Sequence, residues 1–129
     1  DGKGAFSFSN AANGVNYYIV VDHRNSIETW SANAMSFTSD TLSYDFTTAA
    51  TTAYGNNLFL KGARWTMYSG DINKDGFVDL TDLSLAYNDA SLFVSGYALT
   101  DVNGDLFSDL FDVLIVYGNS SNFISVASP

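Results

Sequence analysis

Apolar and polar residues alternate in short bursts over the first half of this chain and recur with a helical period over the second. Phe6 and Phe8 are interleaved with Ser7 and Ser9, which predicts a short strand with one wet face. Asn10 to Gly14 is turn chemistry. Residues 15–22 carry Tyr17, Tyr18, Ile19, Val20 and Val21, a β-branched and aromatic run that predicts a well-buried strand. Shorter strands are expected over 27–30, 35–38 and 42–46. Residues 47–54 mix Ala, which favours helix, with Thr, which favours strand, and both readings stay open. Gly55-Asn56-Asn57 predicts a turn, 58–60 a strand and Gly62 another turn. A last strand is expected over 64–69, where Trp65 and Met67 alternate with Thr66 and Tyr68. Beyond residue 70 the period changes. Leu80, Leu83 and Tyr87 fall on one helical face, as do Leu110, Val113, Leu114 and Tyr117. Neither helix is long enough to be stable alone, so the two apolar faces are expected to pack together. Gly118-Asn119 is the expected C-cap of the second helix.

These two helical stretches belong to a repeat. Pairing each position of 71–99 with the one thirty residues later gives 11 identities in 29 pairs, a strong internal signal. Each copy opens with the same spacing of oxygen-bearing side chains. The first is Asp71, Asn73, Asp75, Phe77, Asp79, Asp82, and the second is Asp101, Asn103, Asp105, Phe107, Asp109, Asp112. Loop positions 1, 3, 5, 9 and 12 supply carboxylate or amide oxygens, and position 7 supplies the backbone carbonyl of a Phe. That is the pattern by which an EF-hand-type loop wraps Ca²⁺. Two calcium ions are therefore the expected cofactors.

Charge sharpens this reading. The formal net charge is −9, and eight of the 14 acidic side chains lie in the two loops. The acidity is thus a localised demand for cations, and two bound Ca²⁺ would bring the charge from −9 to −5. Clustered Lys and Arg, which nucleic acid requires, are missing. The chain has no Cys, which excludes disulfides, zinc–thiolate sites and thiol nucleophiles. No apolar run approaches the roughly 20 residues of a membrane span. The chain starts at Asp1 without Met, as a processed or excised chain would. Abundant Ser and Thr with few basic residues suit an extracellular or cell-surface protein, where Ca²⁺ is plentiful.

Loop then helix, twice, with Asp at positions 1, 9 and 12 and Asn at position 3, resembles the dockerin module of secreted bacterial proteins. The resemblance covers residues 70–129. It implies a non-catalytic domain outside the cell, each calcium loop followed by one helix, joining its protein to a partner or a surface. More loosely, Tyr17 to Trp30 and Trp65 to Gly70 resemble β-rich stretches that precede such modules.

The loops differ at position 6. Gly76 suits the sharp turn there, whereas Leu106 at positive φ would cost about 1 kcal/mol or more. Either loop two turns differently or it binds more weakly, so loop one is expected to be the tighter site. Phe77 and Phe107 are expected as core anchors, and Tyr87 and Tyr117 as internal packing of the repeat. His23, beside Asp22 and Arg24 and with Glu28 nearby, reads as a turn residue rather than a general acid–base. Trp30 and Trp65 read as strand-core residues rather than sugar-stacking platforms.

The expected fold class is α+β. A β-rich domain over 1–69, sandwich-like and completed by a neighbouring chain, precedes two calcium-loop–helix repeats over 70–129. A ~60-residue half without disulfides is marginal alone, and each bound ion adds about 2.7 kcal/mol at a hundredfold excess over Kd. Calcium should thus act as a staple whose chelation melts the second half. The short first domain leaves strand edges, and residues 1–9 could complete a neighbour's sheet, building a fibre. The expected function is a secreted, non-catalytic structural subunit of this kind, with copies of itself as partners. The alternative is a dockerin-type module that binds a separate protein receptor. A sugar-binding or hydrolytic domain ranks below both. Asn119-Ser120-Ser121 is a formal glycan acceptor site.

Overall fold

The computed structural model describes residues 3–129. Asp1 and Gly2, which open the 1–9 segment expected to add to a neighbour's sheet, lie outside the described residues. The fold is mixed α+β, with short strands leading into two helices. Strand β1 (Asn16–Tyr17) pairs antiparallel with β4 (Met35–Ser36). Strand β2 (Val20–Val21) pairs with β3 (Thr29–Trp30), and β5 (Phe59–Lys61) with β6 (Arg64–Thr66). Among the described residues these are three separate two-stranded pieces, and no closed sandwich is formed.

The reasons are local. The expected strand over 15–22 changes partner midway. At Ile19 the amide donates to Ser31 Oγ (3.0 Å) and the carbonyl accepts from Ser31 N (2.8 Å), which turns the chain from β4 toward β3. The expected strand over 42–46 is irregular. Asp45 Oδ1 takes both the amide (2.8 Å) and the hydroxyl (2.7 Å) of Thr47, a local bond that competes with a ladder. The Tyr44 hydroxyl donates to Thr52 O. The ambiguous 47–54 stretch resolves into neither option but into 3-10 turns at Ala50–Thr52 and Tyr54–Asn56. Residues 3–8 form no strand, and Phe6 and Phe8 are exposed. The last expected strand stops at Thr66, because the chain beyond it pairs with Ser26 and Ile27 instead: Ile27 N donates to Tyr68 O at 2.9 Å.

Helix α1 (Leu80–Ser91) and helix α2 (Leu110–Ser121) are the regular part of the fold. Asp79 and Asp109 cap their N-termini, and each forms a reciprocal capping box with the Asp three residues on. Both helices end in the same bond pattern. Phe93 N donates to Ala90 O (3.2 Å) and Val94 N to Asp89 O (3.1 Å), as Phe123 N does to Ser120 O (3.0 Å) and Ile124 N to Asn119 O (3.3 Å). These are Schellman caps. The expected C-cap at Gly118-Asn119 is therefore corrected: α2 runs through both residues.

After its cap each helix returns to the loop that precedes the other. Ser108 N donates to Val94 O (2.9 Å) and Gly96 N to Leu106 O (2.8 Å). Val78 N donates to Ile124 O (2.9 Å) and Val126 N to Gly76 O (2.8 Å). The C-terminus of each helix thus lies beside the N-terminus of the other, and the two run antiparallel.

The core lies beneath them. It comprises Ile72, Val78 and Val102 from the loops, Ala86 and Val116 from the helices, and Ile27 from the β-rich stretch. Gly70 permits the closure. Its φ is +114°, and a Cβ there would meet Val78 Cγ1 at 3.1 Å and Val116 Cγ2 at 3.3 Å. Among the described residues no helix is long and apolar enough to cross a membrane.

Candidate metal centre

Each loop is organised around its first and last carboxylates. Asp71 and Asp101, at position 1, are buried, as are Asp82 and Asp112 at position 12. Asp71 Oδ1 accepts from Asp75 N at 3.1 Å, and Asp101 Oδ1 from Asp105 N at 3.1 Å. Asn73 Oδ1 and Asn103 Oδ1 accept from the same two amides at 3.0 and 2.8 Å. Asp75 and Asp105 in turn accept from the amides of Phe77 and Phe107, at 3.0 Å each. Their other oxygens take the side-chain amides of Asn73 (2.8 Å) and Asn103 (3.0 Å). Positions 1, 3, 5 and 7 are therefore knit together in both loops.

Positions 9 and 12 tie the loop to the helix that follows it. Asp79 Oδ1 and Asp109 Oδ1 each accept from a first-turn amide, Thr81 or Phe111, at 2.7 Å. Asp82 Oδ1 accepts from Ile72 N (2.8 Å) and Asn73 N (3.2 Å), and its Oδ2 from Asp79 N (3.0 Å). Asp112 repeats this with Val102 N (2.9 Å), Asn103 N (3.0 Å) and Asp109 N (2.9 Å). The position-12 carboxylate is thus the tie between loop entrance and helix start. Among the described residues no three His, Cys, Asp or Glu side chains converge as a metal cluster. The donors of each loop are instead a mixture of carboxylate, amide and carbonyl oxygens. Such an all-oxygen set fits a hard divalent cation, and Ca²⁺ before Mg²⁺ because no rigid octahedron is enforced. Asp71, Asn73, Asp75, Asp79 and the Phe77 carbonyl would hold it in loop one, with Asp101, Asn103, Asp105, Asp109 and the Phe107 carbonyl in loop two. Asp82 and Asp112 would close each set.

A cation already faces each position-1 carboxylate. Lys74 Nζ lies 4.0 Å from Asp71 Oδ2, and Arg24 Nη2 lies 3.5 Å from Asp101 Oδ2. Burial is the main cause that pushes the Asp71 carboxyl above its ordinary range, helped by the Asp82 and Asp75 charges and opposed by Lys74 and the Gly76 amide.

The loops turn alike. Positions 4 and 6 are left-handed in both, at Lys74 (φ +61°) and Gly76 (+89°) in one and Gly104 (+83°) and Leu106 (+72°) in the other. Each loop contains one glycine and one residue that bears a Cβ in this region. Strain at Leu106 is matched by strain at Lys74, so it no longer argues for a tighter loop one.

The apolar repeat residues correct a further expectation. Phe77 and Phe107 are exposed, not core anchors. Leu80 is 74% exposed, Tyr87 64% and Tyr117 58%. Leu83 and Val113 pack on the core, but the helices leave an open groove above them, lined also by Leu80, Tyr87, Leu114 and Tyr117. The face turned inward is instead Asp82 and Ala86 in α1, Asp112 and Val116 in α2.

His23 is a turn residue whose Nδ1 lies 3.3 Å from Ser26 Oγ. Trp30 and Trp65 are half-buried, and Trp30 Nε1 donates to Glu28 Oε1 at 2.5 Å. Sequence reasoning missed Arg24, Asn25 and Lys74 as residues of the loops' surroundings. It also missed Thr100, whose hydroxyl donates to Asp89 (2.7 Å) and lies 2.7 Å from the Ser108 hydroxyl. No spacing signal marks these residues, because their partners lie far along the chain or outside the motif. Compared with protein-family models, curated proteins and solved structures, the chain matches none.

Proposed function

We propose that this chain is a non-catalytic, calcium-stabilised assembly module of the extracellular space, similar to a dockerin, that anchors its protein to a separate protein receptor. One Ca²⁺ in each loop fixes the start of each helix, and the helix pair presents the receptor with an apolar surface. The observation that carries this reading is the outward placement of Leu80, Tyr87, Leu110, Leu114 and Tyr117 on helices that begin at the two oxygen-rich loops. Contiguous exposed apolar patches of this kind mark docking surfaces on soluble proteins. The decisive experiment is capture of the receptor from the extracellular fraction by immobilised chain. Capture should need calcium and should be lost in the double variant Leu80→Asp/Tyr117→Asp. Capture that survives both chelator and that variant overturns the reading.

A second reading rests on a different observation. Residues 5–8 form no strand, and Phe6 and Phe8 stand exposed on alternate positions. Such a segment can add to the edge of a neighbouring copy's sheet and build a fibre. Sedimentation of the purified chain in calcium separates the two. Monomers support receptor anchoring; polymers that vanish on deleting residues 1–9 support strand exchange.

A further inference from the structure

We propose that the turn at residues 22–26 couples the two calcium loops, so that an ion in one raises the affinity of the other; the proposal rests on the calcium reading above. Five consecutive residues reach both loops. Toward loop two, the Arg24 guanidinium donates to Ala98 O and, at 3.1 Å, to Asp101 O. It also lies over the Tyr97 ring, 3.9 Å from the centroid, and pairs with the Asp101 carboxylate. Buried Asn25 donates through Nδ2 to Leu99 O (3.0 Å) and Asp101 O (2.8 Å). Toward loop one, Lys74 Nζ donates to His23 O (2.9 Å) and Ser26 O (2.7 Å) and pairs with Asp22 Oδ1 at 2.7 Å. Asn25 O accepts from Gly70 N at 2.7 Å, at the threshold of loop one.

The turn therefore holds the backbone of Asp101, position 1 of loop two, and the side chain of Lys74, position 4 of loop one. It also holds Gly70, the residue that precedes Asp71, position 1 of loop one. Ordering the turn has an entropic cost that the first ion meets, and the second ion then finds its loop already held. Coupling of this origin is reciprocal and is typically 5- to 150-fold; about tenfold is expected here.

The test follows the amide resonances of Gly76 and Gly104, one in each loop, during calcium titration of the intact chain. In the wild type both should shift together, over a range narrower than independent sites allow. Arg24→Ala touches only loop two, yet it should weaken calcium at loop one as well, by about tenfold. Arg24→Lys, which keeps the charge and part of the donor set, should restore part of that loss. Lys74→Gly attacks the turn from the other side, at a position whose φ of +61° glycine accepts without strain, and it should weaken loop two. It carries the test if Arg24→Ala does not fold. Wild-type loops that titrate independently, or variants that change only the loop they touch, overturn the coupling. Resonances that calcium does not move at all overturn the calcium reading itself, and the coupling with it.

Discussion

Phe93 and Phe123 stand 30 residues apart and share one unusual conformation: both sit just past a helix in the left-handed region, at φ +55° and +53°. Both are also almost wholly in solvent, at 87% and 90% exposure. Glycine is the usual residue at this point of a Schellman cap, because it has no Cβ to clash. A bulky aromatic there carries strain and gains nothing from burial. Phe93→Gly or Phe123→Gly should each stabilise the isolated chain by about 1 kcal/mol, read as a higher urea midpoint. Glycine variants that unfold at lower urea would show that these rings pack on the chain. If the rings serve the receptor, the same variants should weaken its capture.

Asp82 and Asp112 separate architecture from metal binding. Each buried carboxylate takes three backbone amides, so it holds loop and helix together without an ion. Asp82→Ala should destabilise the calcium-free protein by about 2–4 kcal/mol, since it strands buried donors and removes half of a capping box. Asp75→Ala, at an exposed position, should lower calcium affinity and leave calcium-free stability within about 1 kcal/mol. Equal calcium-free stabilities for the two variants would contradict this division.

Asp71 sets an unusual pH dependence. Burial, then the Asp82 and Asp75 charges, raise its folded pKa above its unfolded value. The fold therefore penalises the ionised carboxylate. That penalty is fully present above the folded pKa and is relieved as pH falls through it toward the unfolded value. In chelator, this group should make the protein more stable as pH drops through that window, and Asp71→Asn should abolish the trend. With calcium the sign reverses, because protons displace the ion from its ligand. Urea midpoints against pH, with and without calcium, measure both. Parallel curves in the two conditions would contradict the assignment of Asp71 as a ligand.

Backbone strain in the loops is equally testable. Leu106→Gly replaces a residue held at positive φ and should relieve about 1 kcal/mol of strain, whereas in Lys74→Gly that gain is offset by loss of the Lys74 bonds to His23 O and Ser26 O and of its pair with Asp22. Gly76→Ala and Gly104→Ala, at φ +89° and +83°, should each cost about as much. A Leu106→Gly variant no more stable than the parent would show that the Leu side chain repays its strain by packing.

The helices and loops were legible in the sequence because their determinants are local. Apolar residues at helical spacing mark the two helices, and the thirty-residue period aligns every oxygen of the two loops; the N-caps Asp79 and Asp109 emerge only in the structure. What a periodic pattern does not encode is whether the face it describes is covered. Leu80, Leu83 and Tyr87 do share a face, but only Leu83 is drawn onto the core. The β-rich stretch was less legible. Ile19 hands the chain from one partner to another through Ser31, and Ile27 leaves its expected strand to join the core of the repeat. Arg24 and Asn25 carried no signal, since carbonyls at 98–101 give a sequence no residue type to match.

The most direct measurement is a calorimetric calcium titration of the intact chain, paired with melting curves in calcium and in chelator. Two ions bound per chain and a Tm that falls by many degrees on chelation are the result expected of a calcium staple. Absence of binding heat, together with superimposable melting curves, would contradict it.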